Sequence, residues 1–234
     1  MVKIVVDAGH GLNTPGKRTP DGEREWTFNN KVVLALIDEL NTYEDVEILR
    51  VDDPTGKRDV PLRERTDKSN KWGADVYVSC HHNAFRGVWG THTGTETYTY
   101  NGRNPNSESP KIARLVHDEV VKVMGLRDRG LKKANFHVLR ETRGYPAILI
   151  EGGFMDSTID IKVLRDDNKL REQGRAIAKG LAKYYKLKKK ATPKPKPKGK
   201  LYKVQIGAYS SKKNAEAQAK KARKAGFDTY IVRE

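Results

Sequence analysis

A Lys/Pro run, KKKATPKPKPKGK at 188–200, constrains this chain more than any other feature. Alternating Lys and Pro give no apolar periodicity, so residues 186–200 are expected to form an extended, solvated linker. The chain should therefore fold as two pieces. Residues 1–185 are long enough to bury a core of their own, whereas 201–234 are short, because chains under roughly 40 residues usually need a staple or a partner. The charge divides at the same place. Of the formal +16, residues 186–234 supply +13, from 16 Lys or Arg against 3 acids, and residues 1–185 hold a net +3. Any attraction to polyanions belongs to the tail.

Within the first piece, short apolar runs alternate with helical patterns. Residues 2–6 form a β-branched run that ends in Asp7-Ala8-Gly9-His10, and 46–51, 75–80, 96–100 and 147–150 read as further strands. From Thr27, Phe28, Val32, Val33, Leu36, Ile37 and Leu40 recur at helical steps. Further helices are expected at 61–72, begun by Pro61 and stopped at Gly73, at 107–124 and at 168–185. Strands separated by helices predict an α/β fold with a twisted, largely parallel central sheet flanked by helices, whose sites lie beyond the carboxyl ends of strands. Cys80 is the only cysteine, so no internal disulfide exists, and its apolar run makes it a small core residue. No run approaches the roughly 20 apolar residues of a membrane span, and membrane insertion is not expected. The opening MVKIVVDAGHG has no cleavage-type segment, so synthesis in the cytosol without a signal peptide is expected.

Three residues that suit zinc fall at strand ends or a helix start: His10, Glu25 and His81. Two imidazoles and one carboxylate leave a fourth position open, the pattern of a catalytic site and not of a closed structural one. One zinc ion there would polarise a carbonyl and activate a water. Glu151, at the end of AILIE and before Gly152-Gly153, would face the same crevice if the sheet is parallel there, and could carry protons as general base and acid. Spacing alone leaves open that strand-end His and Glu are solvated loop residues. His82 should point to the opposite face from His81 by strand alternation. Asn83 either orients His81, contacts substrate or forms a turn. Arg129, Arg140 and Arg143 could grip carboxylates or be surface bases. Asp7 is expected to fix His10 or cap its loop, and His92, His117 and His137 have no evident partner.

Five motifs in order, DAGHG (7–11), EWTFNN (25–30), SCHHNA (79–84), RGLKKANFHVLRET (129–142) and PAILIEGGF (146–154), resemble the zinc N-acetylmuramoyl-L-alanine amidases of the type-3 amidase family. The resemblance covers about 1–185. It implies a phosphorylase/hydrolase-like sheet, zinc ligands at His10, Glu25 and His81, and a catalytic Glu at Glu151. It also implies cleavage of the amide joining the lactyl group of N-acetylmuramic acid to L-alanine in bacterial peptidoglycan. The registers of Asn29 with Glu25 favours Glu25 over Glu23. A non-catalytic peptidoglycan-binding protein and a zinc peptidase acting elsewhere in the stem peptide are the alternatives. The presence of all four chemistry-bearing residues argues against the first, and the five-motif resemblance against the second.

The tail, LYKVQIGAYSSKKNAEAQAKKARKAGFDTYIV, resembles one half of a SPOR (sporulation-related) repeat, a module that binds glycan strands. A small β-α-β unit is expected, with strands at 201–206 and 229–232 and a helix at 213–225. Tyr202 and Tyr209 could stack on sugars, and self-association with a second copy could supply the missing half. Nucleic-acid binding is set aside because the RNP1 aromatic pattern is absent. A substrate outside the membrane would then be reached through holin pores, as for a phage endolysin, or on cell lysis, as for a sporulation autolysin.

Overall fold

The computed structural model describes residues 1–102, 106–191, 204–227 and 229–232. It divides into two compact units, Met1–Lys190 and Ala191–Glu234. In the first unit the elements run β1 (Val2–Ala8), α1 (Glu25–Leu40), β2 (Val46–Arg50), α2 (Leu62–Trp72), β3 (Val76–Asn83), β4 (Thr95–Tyr100), α3 (Ser109–Met124), β5 (Asp128–Ala134), α4 (His137–Arg140), β6 (Ala147–Phe154), α5 (Ile161–Leu164) and α6 (Asp167–Tyr185). The strands form one six-stranded sheet in the order β2-β1-β3-β6-β4-β5. The first four are mutually parallel, β4 runs antiparallel to β6, and β5 is parallel to β4. The sheet is thus largely parallel, as expected, with one antiparallel seam.

Alternation along the strands divides the core into two layers. Ile4, Val6, Val76, Val78, Ile148 and Ile150 face α1, α3 and α6, whose Val32, Leu36, Ile112, Val116, Ile177 and Leu181 are fully buried. Val5, Tyr77 and Leu149 face the other way, against Val138, Leu139 and Tyr145. Each such side chain contributes roughly 1.5–3 kcal/mol by leaving water. Helix ends follow local chemistry. Gly73 closes α2 with φ 71°, and Asp166 caps α6 by accepting from the Asn168 N–H at 2.8 Å. Gly174 lets α6 lie against α1, since a Cβ there would sit 2.3 Å from the Val32 carbonyl oxygen.

In this unit the sequence pattern needs correction at its strand ends and at three unexpected elements. β3 and β6 run past their apolar stretches to Asn83 and Phe154, because parallel pairing continues through His81 and Glu151. β5, α4 and α5 lie where the sequence pattern suggested no element.

In the second unit one helix, α7 (Lys212–Lys224), is formed, with Ala219 and Ala222 buried. The expected strands are absent among the described residues: neither 204–206 nor 229–232 is paired, and residues 201–203 lie outside those described. A strand needs a neighbour for its N–H and C=O groups, and this unit provides none among its described residues. Among the described residues no helix is long and apolar enough to cross a membrane.

Candidate active site

The chain leaves β1 for α1 and β2 on one side, and β3 lies on the other, so the carboxyl ends of β1 and β3 border the point where strand order reverses. Open α/β sheets bind ligands in that crevice. A cleft of about 210 Å³ opens there, lined by His10, Lys17, Glu25, His81, Asn83 and Glu151 among others.

His10, just beyond β1, Glu25, at the first position of α1, and His81, in β3, each offer one ligand atom, and these atoms lie within 4.8 Å of one another. Glu25 lies between the imidazoles, its Oε2 3.3 Å from His10 Nε2 and its Oε1 3.0 Å from His81 Nδ1. Burial pulls His10 down to about 4 against the opposing pull of Glu25, leaving a neutral imidazole with a lone pair to give. Burial would lower His81 as well, but its hydrogen bond with Glu25 holds it above the ordinary value. Burial would raise Glu25, yet both histidines keep it ionised. Two imidazoles and an ionised carboxylate converging with one side open are the donor set zinc takes in catalytic sites. Gly9 completes the cradle: a Cβ there would lie 2.0 Å from His81 Cε1, so the imidazole occupies the space a side chain would fill.

Glu151 is the register partner of His81 on β6, so both project from the same face of the sheet. The residue is half-buried, but its Oε2 is shut off from solvent without a hydrogen-bond partner. Burial pushes its carboxyl up to about 8, with His81 opposing and Glu25 adding to the rise. His82 does project to the opposite face. It is buried between α1 and α6, with Nδ1 2.8 Å from Asn29 Oδ1 and Nε2 3.3 Å from Gln173 Oε1. Asn29 in turn donates to Glu25 Oε1 at 3.3 Å and to the Gly9 carbonyl at 3.1 Å, tying helix, loop and ligand together.

Asp7 does not bond His10. It accepts from Arg65 Nη1 at 2.5 Å, Tyr77 OH at 3.0 Å and Ser79 Oγ at 2.9 Å. Arg65, 1% exposed, is the residue that reaches the loop. Its guanidinium donates to the carbonyls of Val60, Ala8 and His10 and to Asp7 and Asp59, at 2.5–3.0 Å. His10 has φ 67°, the left-handed region that non-glycine residues rarely adopt, and Arg65 holds its carbonyl there. Sequence reasoning missed Arg65 because it lies in the charged stretch LRERTDKSNKW, which reads as a solvated helix.

Asn83 lines the cleft and donates to Glu96 Oε2 at 3.2 Å. Arg129 joins Asn83 on Glu96 without itself lining the cleft, and Arg140 pairs with Glu141 and Asn135 and does not line it either. Tyr209 is 44% exposed in the second unit, and Tyr202 lies outside the described residues. The remaining histidines have structural partners: His92 with Asp156, His117 with Thr97 and Asp128, and His137 with Thr66.

Such a fold with such a cluster defines an α/β enzyme domain whose ligand set suits a catalytic metal. The family model described as N-acetylmuramoyl-L-alanine amidase matches residues 4–183, and that of the SPOR domain matches 171–233. The chain belongs to the N-acetylmuramoyl-L-alanine amidase family. Residues 171–183, shared by the two matches, lie in α6 of the first unit. The chain is 40% identical to the N-acetylmuramoyl-L-alanine amidase CwlM of Bacillus licheniformis and 39% identical to a sporulation-specific N-acetylmuramoyl-L-alanine amidase of Bacillus subtilis. Each match covers 99% of this chain and 85% of the relative. The catalytic domain of CwlV, an amidase from Bacillus (Paenibacillus) polymyxa var. colistinus, superposes with a TM-score of 0.72 at 30% identity, over 80% of this chain and all of that one.

Proposed function

We propose that the chain hydrolyses the amide between N-acetylmuramic acid and L-alanine in peptidoglycan, with His10, Glu25 and His81 holding one zinc ion and Glu151 moving the proton. The observation that carries this reading is the convergence of three zinc-suited donors with an unpartnered, raised carboxyl on the neighbouring strand. Zinc, when bound, supplies Lewis acidity to the scissile carbonyl and the attacking water. Glu151 takes the proton from that water and returns it to the nitrogen of the leaving alanine. Its carboxyl suits both tasks, since burial brings it near neutrality. Glu25 is kept ionised by the two histidines and oriented by Asn29, and Arg65 keeps His10 aimed into the cleft.

Incubating the protein with peptidoglycan should release alanine amino termini without new reducing sugar ends. Release should vanish with a chelator and return with zinc, and Glu151→Ala should lower kcat about 10²- to 10⁴-fold. No release from folded, zinc-loaded protein would rule this reading out. For the tail we infer glycan binding, supported by its SPOR match and by exposed Tyr209, and completion of its fold by pairing with a second copy. A strictly monomeric chain with a rigid, folded tail would count against the pairing.

A further inference from the structure

Glu96 is the second residue of the antiparallel strand β4 and the register partner of Glu151. It is 2% exposed and wholly engaged. Oε1 accepts from Arg129 Nε at 2.5 Å and Lys132 Nζ at 2.6 Å, and Oε2 from Tyr98 OH at 2.5 Å and Asn83 Nδ2 at 3.2 Å. One cation would neutralise one carboxylate. Two are present, so the cluster carries an excess positive charge, and the side chains that carry it are 30% and 35% exposed. Arg129 spends only Nε on Glu96, and its guanidinium lies 5.0 Å from the centre of the Phe154 ring. Lys132 is register partner of Tyr98, so it projects from the same face as Glu96 and Glu151. Neighbouring strands lie about 4.8 Å apart, which puts the β5 backbone bearing both cations roughly 10 Å from that of Glu151. An extended peptide advances about 3.3–3.6 Å per residue, and the two long side chains reach back to Glu96, which also holds Asn83 at the edge of the cleft.

We propose that Lys132 and Arg129, fixed by Glu96, form a subsite for the free carboxylate of the second residue of the stem peptide, on the leaving side of the scissile amide. The proposal rests on the amidase reading above and adds to it a choice among wall chemistries: acid at that residue is accepted and carboxamide disfavoured. Glu96 is a positioning residue, because its oxygens are saturated and only the cations it orients meet substrate.

The test uses the zinc-loaded full chain and two muramoyl tripeptides that differ only in whether the second residue carries a carboxylate or a carboxamide. Wild-type kcat/KM should favour the acid by about tenfold or more, the contribution expected of a hydrogen bond to a charged group. Lys132→Gln and Arg129→Gln should each shrink that preference, raising KM for the acid substrate more than they lower kcat/KM for the amide. Both positions lie on an edge strand and are part-exposed, so folding should survive, which circular dichroism checks. Equal cleavage of both substrates by wild type, or variants that lose both substrates alike, would overturn the subsite while leaving the amidase reading in place. Cleavage of neither by folded, zinc-loaded protein would remove the amidase reading and the subsite with it.

Discussion

The two units share short runs of apolar and β-branched residues and come to opposite ends. In β1, Ile4, Val5 and Val6 are fully buried because β2 and β3 flank the strand and helices cover both faces. In the tail, the run 229–232 has much the same composition, yet Tyr230, Ile231 and Val232 are 50–70% exposed and unpaired. Alternation says which residues could share a face. It does not supply the neighbour that makes the segment a strand.

The contrast can be tested where burial is deepest. Arg65→Ala would leave Asp7 buried without its cation and free the His10 carbonyl. It should cost about 3–5 kcal/mol in urea unfolding of the first unit, the usual loss when one member of a buried pair is removed. A smaller effect is expected from acid. Burial works to raise Asp7, but the Arg65 guanidinium holds its carboxyl below the ordinary value. Its stabilisation is therefore complete above the unfolded pKa of about 3.9 and is lost as pH falls through that value toward the folded one. Urea midpoints of the wild type should drop over this range, and Asp7→Asn should flatten that part of the profile. The smallest effect belongs to the tail: Ile231→Ala should change the midpoint of the first unit by no more than about 0.5 kcal/mol, as for other exposed positions. A larger shift would mean that the tail's apolar residues are buried in solution, and light scattering would then show whether a second copy covers them.

Much of the first unit was legible because its strands are short apolar runs that end in chemistry. His10, Glu25, His81 and Glu151 meet because parallel strands bring their carboxyl ends to one edge, and alternation separated His81 from His82 without further information. β5 was not legible. Its sequence, DRGLKKA, belongs to an edge strand with little buried surface, so no hydrophobic period marks it. Arg65 was hidden for the opposite reason: an arginine in a charged helix looks solvated until five acceptors are found around it. Glu96 was missed because the value of TETYTY lies in register with β6, a relation that no single segment contains.

The seam between β6 and β4 has one more consequence. The residues proposed to hold zinc and to move the proton come from a loop, a helix start and two strands on one side of it, whereas Arg129 and Lys132 come from the strand that ends the sheet on the other. On the readings proposed above, bond-breaking and choice of wall sit on different strands, so residues along the outer strand could be exchanged while those beside β1, β3 and β6 stayed as they were.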